Sequence, residues 1–248
     1  MKPLIVANWK MNPQTYKEAE DLIAKILKET NKITGVNIIF CLPFVWLTDF
    51  SHKNKSSAFF GAQDVFFQEK GAFTGAISPE MLKSSQVEYV IIGHSERRKY
   101  FGETGEIVNK KIRAALKAGL KVILCVGETE EEKDRKGEIL EKQITQALQG
   151  VTHDEMKNVV IAYEPVWAIG TGNNCSVDEA QKSLLFIRKI ITNVYKREVA
   201  DGMKLLYGGS VKAENSGAYI KEGNANGLLV GGASLIAEEF IEIVKSAE

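Results

Sequence analysis

The sequence predicts an α/β fold, an eightfold β/α barrel of parallel strands, on three observations. Short apolar runs recur eight times, amphipathic stretches separate them, and together they fill 248 residues. A strand buried on both faces reads as a nearly continuous apolar run, which is how a parallel sheet is written in sequence. Eight strand–helix units of roughly 30 residues match the usual length of such a barrel. A doubly wound open sheet is the alternative, but it usually needs fewer strands or a second domain. No Pro-, Gly- or Ser-rich linker divides the chain, so residues 1–248 are expected to form a single barrel domain.

The elements follow in order. The first run, 4–9, ends in Asn8-Trp9-Lys10. Tyr16, Ala19, Leu22, Ile23, Ile26 and Leu27 then mark one face of a helix. Runs 36–41 and 58–63 supply the second and third strands, with 51–57 as a surface loop and His52 solvated. The fourth run, 89–93, opens onto His94, Ser95 and Glu96, where Ser95 is expected to cap a short helix with Glu96 near its start. Ile107, Ile112, Ala115 and Leu116 point the next helix inward and leave Lys110, Lys111 and Lys117 to water. After the fifth run, 121–126, Glu130–Arg135 reads as a solvated helix start with its acids in the first turn. The sixth, 159–163, stops at Glu164-Pro165, since proline has no N–H for the ladder. Leu184, Ile187, Ile190, Ile191 and Val194 mark a further helix, and runs 204–207 and 227–230 complete the eight.

Charge and composition exclude several classes of function. Lys and Arg total 32 and so do Asp and Glu, which leaves no basic excess for a polymeric phosphate, so no nucleic-acid partner is expected. No apolar run approaches the ~18–20 residues of a membrane span, and 4–7 is too short for a signal-peptide core. Three widely spaced cysteines fit neither a disulfide framework nor a zinc site, and a reducing cytoplasm suits them.

In a β/α barrel the chemistry lies at the C-terminal strand ends. Gly208-Gly209-Ser210 follows the seventh run and Gly231-Gly232 the eighth. Loops there commonly hold phosphate, with backbone N–H groups brought close by glycine. Either pair alone could be a plain tight turn; both together point to a small phosphorylated ligand. Lys10 at the mouth could be a counter-ion, a Schiff-base nucleophile or a solvated side chain. His94, facing a helix N-terminus, suits a neutral imidazole that donates to a carbonyl, or a buried structural histidine. Glu164 precedes an apolar segment that ends in Gly170 and Gly172, the composition of a lid that excludes water and makes a carboxylate more basic. An ordinary loop carboxylate is the alternative. One base, one electrophile, one cation and a phosphate cradle, with no cofactor motif and no metal cluster, describe proton transfer beside a carbonyl.

Several segments resemble the triosephosphate isomerase family: Asn8-Trp9-Lys10-Met11-Asn12, Gly71-Ala72-Phe73-Thr74-Gly75, 93–98, 162–172, 207–211 and 229–235. The resemblance spans essentially the whole chain in order. It implies a TIM barrel that interconverts dihydroxyacetone phosphate and D-glyceraldehyde 3-phosphate through an enediolate, in glycolysis and gluconeogenesis, without cofactor or metal. Glu164 would shuttle the proton, His94 polarise the carbonyl, and Lys10 with Asn8 stabilise the enediolate. Glu96 resembles the family's partner for that lysine. Gly170, Ser210 and Gly232, with Gly231 adjacent, would hold the phosphate. Members are usually homodimers joined through the loop around Thr74. Here Gly75-Ala76 replaces a common Gly-Glu, which removes an expected ion-pair partner for Arg97 or a nearby arginine. Pro13, Asn226 and Leu184 also depart from common family residues, and Cys125 is expected to be a packing residue. A Schiff-base aldolase on Lys10 and an inert binding protein are the rival readings.

Overall fold

A computed structural model describes residues 1–169 and 175–248. Eight strands, β1 (Leu4–Asn8), β2 (Asn37–Leu42), β3 (Phe59–Ala62), β4 (Tyr89–Ile92), β5 (Lys121–Val126), β6 (Val159–Tyr163), β7 (Leu205–Tyr207) and β8 (Gly227–Val230), each pair in parallel with their neighbours in sequence. β8 returns to β1, with Leu4 opposite Gly227, and closes the barrel. Around it lie α1 (Tyr16–Thr30), α2 (Phe44–Lys53), α3 (Pro79–Ser84), α4 (Ser95–Phe101), α5 (Gly105–Lys117), α6 (Lys136–Ala147), α7 (Val177–Tyr195), α8 (Arg197–Gly202), α9 (Ala213–Lys221) and α10 (Ala237–Ser246).

The apolar runs are continuous because both faces of each strand are buried. Val6, Ile39, Ile91, Ile123, Ala162 and Leu206 fill the barrel interior, while Ile5, Phe40, Ile92, Leu124, Ile161 and Leu205 belong to the layer under the helices. Closure puts β1 and β8 so close that a Cβ at Gly227 would lie 1.9 Å from the Leu4 carbonyl oxygen; only glycine fits. α1 begins at a capping box in which Thr15 accepts from the Glu18 N–H and Glu18 from the Thr15 N–H. It buries Ala19, Ile23 and Ile26 as the periodicity requires. No helix among the described residues is long and apolar enough to cross a membrane.

Four local expectations fail. Residues 51–53 are the last turn of α2, and Ser51 is buried, its hydroxyl donating to the Ser85 carbonyl. Val194 is exposed although it shares a helix with the buried Ile187, Ile190 and Ile191. Lys111 faces the interior, drawn there by two carboxylates described below. His94, not Ser95, caps α4: its ring accepts the Glu96 N–H and Ser95 is already helical.

Candidate active site

The C-terminal strand ends converge on one cleft. Asn8 ends β1, His94 stands two residues past β4, Glu164 one past β6, and Gly208, Gly209, Gly231 and Gly232 follow β7 and β8. All of these line the cleft together with Lys10, Ile169 and Leu229. Ser210 lies one residue beyond that lining, and Glu96 reaches it through Lys10. Gly170 falls in residues 170–174, outside the described residues. A larger hollow of about 550 Å³ opens at the opposite barrel end, among Leu4, Tyr89, Lys121 and Lys204, away from the strand ends where His94 and Glu164 sit.

Glu164 is 2% exposed. Its Oε1 lies 2.9 Å from Nε2 of His94, and its Oε2 accepts the Ser95 N–H at 3.0 Å. Burial pushes the carboxyl up, but the imidazole, the Ser95 N–H and the charge of Lys10 outweigh it and hold Glu164 below the ordinary carboxylate value. Burial pushes His94 down, whereas the Glu164 carboxylate pulls it above its ordinary value. The hydrogen bonds decide the tautomer. Nδ1 accepts the Glu96 N–H at 3.2 Å, so a neutral ring carries its proton on Nε2, aimed at Glu164. A second proton on Nδ1 would face an N–H donor.

Lys10 sits in left-handed backbone, φ +53°, where a non-glycine residue is strained by about 1–3 kcal/mol. The Asn8 side chain holds the turn by accepting the Lys10 N–H at 3.1 Å. That turn sends the lysine across the cleft mouth to Glu96, Nζ to Oε1 at 2.5 Å. A Cβ on Gly231 would lie 3.2 Å from Lys10 Cε, so the bare backbone of β8's end is what the lysine crosses. Gly208 is equally close-fitted, since a Cβ there would lie 3.1 Å from Glu164 Cγ.

The family model described as triosephosphate isomerase fits residues 3–247. The chain belongs to the triosephosphate isomerase family. Similar members include the triosephosphate isomerases of Thermoanaerobacter sp. (strain X514), 47% identical over 246 residues that cover 98% of both chains, and of Carboxydothermus hydrogenoformans, 45% identical over 250 residues that cover 99% of both. That of Geotalea uraniireducens is 44% identical and covers all of this chain and 99% of its own.

Relative to the triosephosphate isomerase pattern, Ala76 removes an expected ion-pair partner of Arg97 or a nearby arginine. For Arg97 the structure supplies two within the chain. Arg97 Nη2 meets Asp64 Oδ2 at 2.8 Å, and Nε meets Glu103 Oε1 at 2.5 Å. Lys111 bridges the same two carboxylates, at 2.6 Å from Asp64 and in close contact with Glu103. Two cations and two anions thus balance beneath α4, the helix that carries Ser95 and Glu96. Periodicity could not show this, because the acids come from the loop after β3 and the approach to α5.

Sequence reasoning also passed over Glu128, fully buried past β5. Its Oε1 accepts the Tyr163 hydroxyl at 2.9 Å and the Trp167 indole N–H at 3.0 Å, and its carbonyl accepts the Val166 N–H. Lys133 stacks 3.7 Å over the Trp167 ring. These contacts tie down the segment just after Glu164. Glu128's position at a strand end was the available signal.

Proposed function

We propose that Glu164 is the base that moves a proton between C1 and C2 of a triose phosphate, so that the chain interconverts dihydroxyacetone phosphate and D-glyceraldehyde 3-phosphate through an enediolate in glycolysis and gluconeogenesis. The His94–Glu164 contact carries the assignment. It places a carboxylate kept anionic beside a ring nitrogen that donates. A substrate carbonyl that takes over the Nε2–H replaces Glu164 as its partner. The pull of the carboxylate toward a charged ring then weakens, and His94 polarises the carbonyl as a neutral donor. Glu164, freed from the ring, faces the carbon acid. The proton it removes from one carbon returns to the other, and His94 serves the two oxygens in turn.

Lys10 and Asn8 stabilise the negative oxygen of the enediolate, and Lys10 also offsets phosphate charge. Glu96 at 2.5 Å orients the lysine. Its engagement by a carboxylate suits a counter-ion better than the free amine of a Schiff-base enzyme. The phosphate is assigned to the N–H groups of Gly170, Ser210 and Gly232, with Gly231 alongside. Residues 165–169, with Ile169 in the cleft wall, would exclude water, because an exposed enediolate can eliminate phosphate.

The chain is further assigned as a cytoplasmic homodimer, with no nucleic-acid or membrane partner, joined through the loop around Thr74. Phe44, Val45, Phe73 and Phe101 support this as large apolar side chains left in water near that loop. A coupled assay with D-glyceraldehyde 3-phosphate tests the reaction: turnover far above the uncatalysed rate is expected, and none would refute it. Borohydride with substrate should trap no adduct on Lys10; a trapped adduct would favour the aldolase.

A further inference from the structure

Arg98 turns its charge inward and, among the described residues, makes no ion pair. Its side chain leaves α4 and turns back beneath the cleft, where Nε donates to the Gly93 carbonyl at 2.8 Å and Nη2 to the Cys125 carbonyl at 3.3 Å. Among the described residues both bonds go to carbonyls and none to a carboxylate, in contrast to Arg97 with its two acids. Gly93 makes the room: it sits at φ +74°, and a Cβ there would lie 2.8 Å from Arg98 Nη2. Removing a guanidinium from water against neutral acceptors alone is unfavourable, and such a group is a candidate for work in the site it borders.

That site is the one described above. Gly93 immediately precedes His94, and Cys125 lies opposite Ala162 in the β5–β6 ladder. The Glu164 N–H donates to Val126, the next residue along β5, at 2.8 Å. The two carbonyls that Arg98 holds are therefore the seats of the electrophile and the base. The groups facing Glu164 are His94 and the Ser95 N–H from α4, Lys10 beyond β1, the Cys125 thiol from β5 and, behind Cys125, Arg98. The nearby acid, Glu96, is engaged by Lys10.

We propose that Arg98 is a positioning residue for the isomerisation, fixing the ends of β4 and β5 that seat His94 and Glu164 and placing a cation behind the base. The proposal rests on Glu164 being the base, and its test is read without turnover. Glutamate labelled with ¹³C at the side-chain carboxyl is incorporated, and the Glu164 resonance is assigned by its loss in Glu164→Gln. Its titration is followed in the unaltered chain, in Arg98→Met and in Arg98→Lys. In Arg98→Met the midpoint should move to higher pH, because a nearby cation has gone. kcat should fall roughly tenfold or more as the reacting groups lose alignment, with KM changed less. Arg98→Lys keeps the charge, so its midpoint should stay near that of the unaltered chain although kcat drops.

An unmoved midpoint in folded Arg98→Met would overturn the electrostatic role. If the methionine variant does not fold, Arg98→Lys alone decides: a midpoint held in place with reduced kcat supports the proposal, and a displaced midpoint or an unchanged kcat overturns it. Failure of the unaltered chain to isomerise would instead sink the assignment of the reaction, and leave the titration readable.

Discussion

Glu164 stays anionic in a buried place because His94 and the Ser95 N–H donate to it at the start of one short helix and the charge of Lys10 faces it. Exchanging its carboxylate for an amide tests the proposed role as base. Glu164→Gln keeps the size of the side chain and removes only its ability to take a proton. We expect kcat to fall by about 10³-fold, within the usual span of single acid–base effects, while a phosphate-bearing inhibitor binds within a few-fold of its original Kd. Equal loss of both would assign Glu164 to folding or binding instead. The sign of the pH dependence follows from the same contacts. Glu164 lies below the ordinary glutamate value, so its proton returns, and activity goes, only as pH falls beneath that range. Removing the imidazole in His94→Ala leaves burial as the dominant influence, and the Glu164 limb should then move to higher pH. Carboxyl NMR titration of the variant reads this, and a midpoint that stays or falls would contradict it.

At the scale of elements, ion pairs join parts that periodicity treats separately. Glu103 is pushed up by burial, but Lys111 and Arg97 outweigh that and hold it below its ordinary value. A lowered carboxylate stabilises the fold above its unfolded pKa, near 4.3, and loses that contribution as pH falls through the folded value. Glu103→Gln should thus be less stable at pH 7, by about 3 kcal/mol, because the buried Lys111 and the half-buried Arg97 then share one acid. The gap should narrow in melts below about pH 4. A constant gap would show that packing, not charge, was lost.

Arg188 on α7 offers the opposite case. Its guanidinium reaches the carbonyls of Ala200 and Met203 and the amide oxygen of Asn226, which also accepts the Leu205 N–H. All of these acceptors are neutral, and burial pushes the arginine down. Asn226→Asp supplies a charge in the same geometry and should raise stability by about 1 kcal/mol, visible as a higher Tm; a lower Tm would refute the reading. These clusters mark the limit of what sequence discloses. The strands were legible because burial on two faces confines polar residues to their ends, and Asn8, His94, Glu164 and the glycine pairs because barrel geometry sends strand ends to one place. Lys111 was not, since its charge suggests water and its partners Asp64 and Glu103 are brought in by the fold. Ser95 looked like the cap because hydroxyls usually are, yet an imidazole took the position and thereby fixed its own tautomer.

Across the whole molecule, one flank is poorly suited to water. Val45 is 74% exposed and Phe101 67%, with Phe44, Phe73 and Tyr100 nearby in chain order on the second to fourth strand–helix units. Phe44, Gly75, Ala76 and Phe101 share one groove beside the Thr74 loop. Exposed apolar patches of this kind mark association surfaces, and a second copy would bring its own loop to the same groove. Sedimentation at micromolar concentration should therefore give twice the 27.5 kDa of one chain. Val45→Glu combined with Phe101→Glu should give the single mass, since burying two carboxylates in an apolar contact is unfavourable. The separated chain should keep the brace under α4, because Asp64 and Glu103 belong to the same chain as Arg97. The His94–Glu164 contact should survive with it. Lys10 is tied to Asn8 and Glu96 of its own chain, but its strained turn runs straight into Met11, 85% exposed, and on to Pro13, whose carbonyl accepts the Trp46 indole N–H of α2 on that flank. Loss of the neighbour should thus fall on phosphate binding, raising KM roughly tenfold with a smaller change in kcat. A chain that sediments singly without substitution would remove the dimer, and a variant whose kcat collapses at constant KM would place the partner's influence on α4 instead of Lys10.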